Sequence, residues 1–199
     1  MNHRELKGSD GKVHLQLQQT FLDAVCRLLE DREVPNVGRV RTLRITPDKR
    51  RPNLLRIRVK LGRDFFQLVA EWLLFLRSLS QNGIEIRIDQ TCATPADPRL
   101  VASFETRSPG ITLAQTLVKE INNALKAENV IELRTEGAFY DPRPYKAFLT
   151  LNPFFLLKRL IDVFPSLGKW LPLQMVDHLT HIELKTSGGC LDLDFEVAT

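Results

Sequence analysis

The segment HIELKTSGGCLDLDFEV, residues 181–197, gathers the groups best placed to do chemistry: His181, Glu183, Asp192, Asp194 and Glu196. A tight turn on Gly188 and Gly189 is expected to pair Ile182 with Phe195 and Leu184 with Leu193 on one face. The same register sets Lys185 opposite Asp192, Glu183 opposite Asp194 and His181 opposite Glu196 on the other face. Glu183 against Asp194 is a like-charge pair, unfavourable unless a cation comes close.

Three chemistries fit such a face. A hard divalent metal could sit among Glu183, Asp192, Asp194 and Glu196, although strand carboxylates at a spacing of two commonly just face water. A catalytic carboxylate pair would need a concave site and shifted pKa values. The third possibility is an acidic face meeting a basic surface, and the chain has one. Arg39 to Arg63 holds ten Lys or Arg against one Asp, a local charge of +9. Because the whole chain carries +4, the remainder carries −5. The two hairpins are therefore read as complementary, within one chain or between copies.

In the basic segment Leu55, Ile57, Val59 and Leu61 alternate with Arg56, Arg58 and Lys60, as in a strand buried on one side only. If helices cover the apolar side, the open face presents Arg44, Arg56, Arg58, Lys60 and Arg87, with Lys49, Arg50 and Arg51 at the turn. A polyanion would be drawn there, because each phosphate neutralised releases counterions. Ferredoxin-like sheets that read single-stranded RNA also carry aromatics on their central strands. LLRIRVKL has none, and Phe148 of YKAFLTL falls in the other half of the chain. Sequence-specific RNA reading is disfavoured on that ground; backbone-level binding stays open.

Motifs for established chemistries are missing: no Gly-rich phosphate loop, nucleophile elbow or HExxH occurs. Cys26, Cys92 and Cys190 are odd in number and without CxxC spacing, so they are read as reduced thiols rather than disulfide or zinc ligands. A non-catalytic role is favoured, with neither metal nor other cofactor expected, although a site assembled in space stays possible.

Two segments carry more apolar surface than one helix face uses. DFFQLVAEWLLFLRSL contributes Phe65, Phe66, Trp72 and Phe75; LNPFFLLKRLIDVFPSLGKWLP contributes Phe154, Phe155, Phe164 and Trp170. Packing of these two helices on each other is the favoured cover. A second copy or another protein, and below that a membrane or acyl surface, are the alternatives.

The elements that must position these groups follow from periodicity. Strand, helix, two strands, helix and strand run to about residue 90, and the order starts again after TPADPR. Asp64 with Gln67, and Thr112 with Gln115, resemble capping boxes; Asn152 and Pro153 suit an N-cap and first turn. The fold class is α+β, an antiparallel sheet with helices on one face. It is phased as two tandem ferredoxin-like βαββαβ halves, 1–95 with the basic hairpin and 96–199 with the acidic one. The same string also fits a single domain of αββ repeats.

At 199 residues, 43% hydrophobic and 26% charged, the chain is long enough for a sizeable core. No apolar run reaches the roughly eighteen uncharged residues that span a bilayer, and MNHRELKGSDGK lacks the apolar stretch of a secretory signal. A cytoplasmic location is expected. The function so implied is a protein-interaction or assembly module, joining a protein partner or forming a homo-oligomer, whose basic sheet face can contact nucleic acid or another polyanion. An RNA- or DNA-backbone-binding protein, and a peripheral membrane or lipid-binding module, are the alternative readings.

Overall fold

The structure is a computed structural model that describes residues 11–27, 30–31, 33–34, 38–62, 70–136, 144–163 and 176–198. It is a mixed α+β arrangement of two antiparallel sheets. The strands are β1 (Lys12–Leu17), β2 (Glu33–Val34), β3 (Gly38–Pro47), β4 (Leu54–Leu61), β5 (Ile84–Gln90), β6 (Cys92–Ala93), β7 (Leu100–Thr106), β8 (Ile131–Glu136), β9 (Tyr145–Leu151), β10 (Leu179–Ser187) and β11 (Cys190–Val197). The helices are α1 (Gln19–Arg27), α2 (Ala70–Gln81), α3 (Ser108–Ala124) and α4 (Pro153–Val163). Strands β2-β3-β4-β5-β7-β9-β8 form one sheet and β1-β11-β10-β6 the other.

Alternation in the strands decides which side of the larger sheet is buried. Leu43 and Val59 face Cys26 of α1, Leu79 of α2 and Leu113 of α3 in one apolar cluster. Ile86, Phe104 and Ala147 face Ile111 of α3 in a second. Three helices thus cover one side, and each fully buried side chain of this size is worth about 1.5–3 kcal/mol over leaving it in water. The intervening residues of the same strands point away from the helices and are mostly exposed. Helix α4 instead covers the smaller sheet, where Phe154, Leu157 and Ile161 pack on a cluster of Val176, Leu179, Ile182 and Phe195.

The pairing does not divide the chain into two ferredoxin-like sheets. Strand β1, expected to lie in the first half, pairs with β11 near the other end of the chain. The pairing puts Val13 against Phe195, Leu15 against Leu193 and Lys12 against Glu196, so it satisfies both apolar and charge patterns. Alternation marks a segment as a strand but leaves its neighbour open, which is why the partner escaped the sequence. Strands β5 and β7, on either side of residue 95, are hydrogen-bonded neighbours in the same sheet. Apart from β1 and the short β2 and β6, the order reads helix, strand, strand four times.

Two further expectations need correction. Helix α3 begins at Ser108, one turn before Thr112, with Arg107 as N-cap, no side-chain cap and a proline in its first turn. Proline suits that turn, so no capping box is required. Helices α2 and α4 do not share a layer, because they lie on different sheets. The Asn152 cap is present: its Oδ1 accepts from the Phe155 N–H at 3.1 Å. Asp64 and Gln67 lie outside the described residues.

Candidate polyanion-binding face

The register of β3 on β4 puts Arg44 directly opposite Arg58, Thr42 opposite Lys60 and Thr46 opposite Arg56. All belong to the face turned away from the helices, because Leu43, Ile45, Ile57 and Val59 between them belong to the core cluster. Arg44, Arg58 and Lys60 are exposed.

The turn between these strands is held firmly. Asp48 Oδ1 accepts from the backbone N–H groups of Arg50 at 2.9 Å and Arg51 at 3.0 Å. Those bonds, with one from the Arg51 guanidinium, pull the Asp48 carboxyl down to about 2. Asn53 takes a left-handed conformation (φ 57°) that an asparagine tolerates. Its carbonyl accepts from Ile88 at 2.8 Å, and its side chain accepts from the Thr186 N–H at 3.2 Å. Thr186 Oγ1 in turn accepts from the Leu54 N–H at 3.2 Å. The basic turn is thereby clamped to both sheets.

The seven expected cations divide into two groups. Arg51 forks onto Glu85 at 3.0 and 2.6 Å and also reaches Asp48 at 3.1 Å, while Arg56 meets Glu85 at 2.6 Å. These hydrogen bonds, Arg51's first and then Arg56's, hold Glu85 below the usual carboxylate range. Arg44, Lys49, Arg50, Arg58 and Lys60 have no carboxylate partner among the described residues. Opposed like charges without a counter-ion are unfavourable for the sheet.

Beyond β4 the face becomes mixed. One row across the sheet reads Leu54, Arg87, Ser103, Phe148 and Arg134, each the cross-strand partner of the next. Glu85, Glu105 and Glu136 belong to the neighbouring row, interrupted by Lys146. Lys146 Nζ stands 5.0 Å from the centre of the Phe148 ring. A cavity of about 800 Å3 beside β5 and β7 is lined by Glu85, Arg87, Ser103, Glu105 and Lys146 of this face and also by Phe75, Leu79, Ile84 and Phe104 of the helix-covered side.

On the smaller sheet the turn and register match the sequence reading. Gly188 and Gly189 both have positive φ (56° and 86°), as a tight two-residue hairpin turn requires. Glu183 does oppose Asp194. The clash is relieved locally: Lys185 Nζ lies 2.7 Å from Glu183, and His14 Nδ1 lies 2.5 Å from Asp194. Lys12 pairs with Glu196 at 2.9 Å, and Asp192 accepts from Gln16 at 3.2 Å and from Ser187. Most of the acidic face is therefore answered by β1 rather than by the basic hairpin. The two hairpins do touch at their tips, where a Cβ on Gly189 would stand 2.9 Å from Lys49 Cγ.

Other candidates fall as follows. No group of three or more His, Cys, Asp or Glu among the described residues could hold a metal ion. Cys92 Sγ lies 3.4 Å from His181 Nδ1, a contact between β6 and β10 that spacing in sequence does not show. Phe75 packs on the first core cluster, and Phe155 lies under Arg159, 5.1 Å from its ring centre. Lys158 pairs with Asp177, and Arg159 lies 3.7 Å from Asp162. Phe65, Phe66, Phe164 and Trp170 lie outside the described residues, as does the side chain of Trp72. No helix among the described residues is long and apolar enough to cross a membrane.

No protein-family model, curated protein or solved structure matches this chain.

Proposed function

We propose that the chain is a non-catalytic interaction module whose open sheet face holds an anionic partner, with the β3–β4 hairpin as the primary contact. The observation that carries this reading is Arg44 facing Arg58 with no carboxylate beside either among the described residues. The acidic hairpin supplies the internal contrast, since its own like-charge pair has Lys185 and His14 beside it. A fold that sets a lysine and a histidine beside one such pair and leaves the other without a carboxylate keeps the second available for a counter-charge from outside. Clamping of the turn by Asn53 and Thr186 supports this use, because a fixed array of cations loses less entropy on binding than a mobile one.

Anisotropy of labelled polyanions against salt concentration tests the reading. Several cations acting on phosphates give a steep linear fall of log affinity with log salt. The double variant Arg44→Glu, Arg58→Glu should abolish that binding while its thermal melting stays cooperative. Salt-independent binding, or binding unaffected by the double variant, would overturn the proposal.

A further inference from the structure

We propose, resting on the polyanion reading above, that the partner is single-stranded nucleic acid and that Phe148 is the platform on which one of its bases stacks. The Phe148 side chain lies on the same open face as Arg44 and Arg58, because its neighbours Ala147 and Leu149 belong to the core on the other side. One continuous sheet thus joins the basic hairpin to an aromatic that the chain order places far from it.

The immediate surroundings of Phe148 suit a nucleotide. Arg134 is its cross-strand partner on β8, and Ser103 is its partner on β7, with Arg87 one strand beyond. At a strand spacing of about 4.8 Å, the arginines flank the ring at one and two strand spacings. Ser103 is small and buried, so the surface dips between Arg87 and the ring. Lys146 Nζ stands over the ring. A base stacking there replaces a cation–π contact with a larger stacked area, and the displaced ammonium is free to meet a phosphate.

The acids on this face argue for a strand rather than a duplex. Glu85, Glu105 and Glu136 cross β5, β7 and β8 in the row beside the arginines. A broad double helix laid over β4 to β8 would set phosphates against these carboxylates. A single strand can follow the Arg87, Phe148, Arg134 row and reach the β3–β4 hairpin without crossing those acids, meeting only Asp89, 3.7 Å from Arg87, and Glu132, 3.5 Å from Arg134, whose places a phosphate would take. A duplex also keeps its bases stacked inside and has none to offer Phe148.

The test compares oligo(dT) of about twelve nucleotides, a duplex of equal length, and poly-glutamate, each labelled and titrated at low salt. The single strand should bind most tightly. Phe148→Leu should weaken it by about fivefold to a hundredfold, the range for loss of one stacked base, with the salt slope unchanged. Phe148→Tyr should retain affinity, and its retention guards against a folding defect as the cause of the loss. The charge-reversed Arg44, Arg58 variant should weaken single strand and duplex alike. Duplex or poly-glutamate binding as tight as the single strand, with no effect of Phe148→Leu, overturns this inference and leaves the polyanion reading standing. Absence of binding to all three probes overturns both.

Discussion

Arg44 and Arg58 stand opposite each other on adjacent antiparallel strands, two guanidinium side chains sharing one exposed spot of sheet. Their repulsion is a cost carried by the fold, and it makes a paradoxical variant informative. Arg58→Glu turns the pair into a cross-strand ion pair, so the fold should gain about 0.2–1 kcal/mol in urea denaturation while polyanion affinity falls. A variant that loses affinity and stability together would show that Arg58 serves the fold instead.

The link between the sheets should be worth more than any surface ion pair. Thr186 is 1% exposed, and its hydroxyl accepts from Leu54 while Asn53 accepts from its N–H. Thr186→Val keeps the shape but leaves the Leu54 N–H unanswered, and should cost about 1–3 kcal/mol. Asn53→Ala removes the other bond and also forces a left-handed residue, adding roughly 1–2 kcal/mol. Chemical denaturation of the two single variants and the double variant measures the coupling, which should be strong because the bonds share one turn.

Acid should unfold the protein partly through Asp48 and Glu85. Both carboxyls titrate lower in the folded chain than their ordinary values: Asp48 at about 2, through the N–H groups of Arg50 and Arg51 and then the Arg51 guanidinium, and Glu85 through hydrogen bonds from Arg51 and Arg56. A group of this kind contributes its full stability above the unfolded pKa, near 4, and loses it as pH falls through the folded value. Melting temperature should therefore drop between about pH 4 and pH 2. Arg51→Met should flatten that slope, and added salt should flatten it as well, since both carboxylates face solvent.

Space at the start of α3 is already filled. A Cβ on Gly110 would lie 1.9 Å from Thr106 Oγ1 and 2.8 Å from Thr106 Cγ2. Gly110→Ala should cost about 1–3 kcal/mol by overpacking, against the usual gain of replacing a helical glycine. Thr106→Ala in the same chain should restore part of the loss, read as a double-mutant cycle in thermal denaturation.

Local pattern was legible where one chain segment contains its own answer. The alternation in residues 54–61, the Gly188–Gly189 turn with its register, and the Asn152 cap all follow from neighbours in sequence. What the sequence left open was which strands meet. Lys12, His14 and Gln16 looked like part of an N-terminal strand in the first half, yet they answer Glu196, Asp194 and Asp192. Sequence alone therefore points the acidic face at the basic hairpin, while β1 is its actual partner. Phe148 is hidden for the same reason: chain order puts it in a separate half, while its strand lies three places from β4 in one sheet. Period-two patterning reports burial of a face and is silent on lateral order; charge complementarity between distant strands was the one available clue.

The pairing of β1 with β11 also has a consequence in time. During synthesis the segment Lys12–Leu17 leaves the ribosome before its partner Cys190–Val197, which follows only after more than 170 further residues. At about 5–20 residues per second that delay is on the order of ten to thirty seconds. The larger sheet uses strands between residues 33 and 151 and can form within that interval. Strand β1 must then wait for its partner, its alternating Lys12, His14 and Gln16 discouraging adhesion to other nascent chains. Closure of the smaller sheet waits for Cys190–Val197.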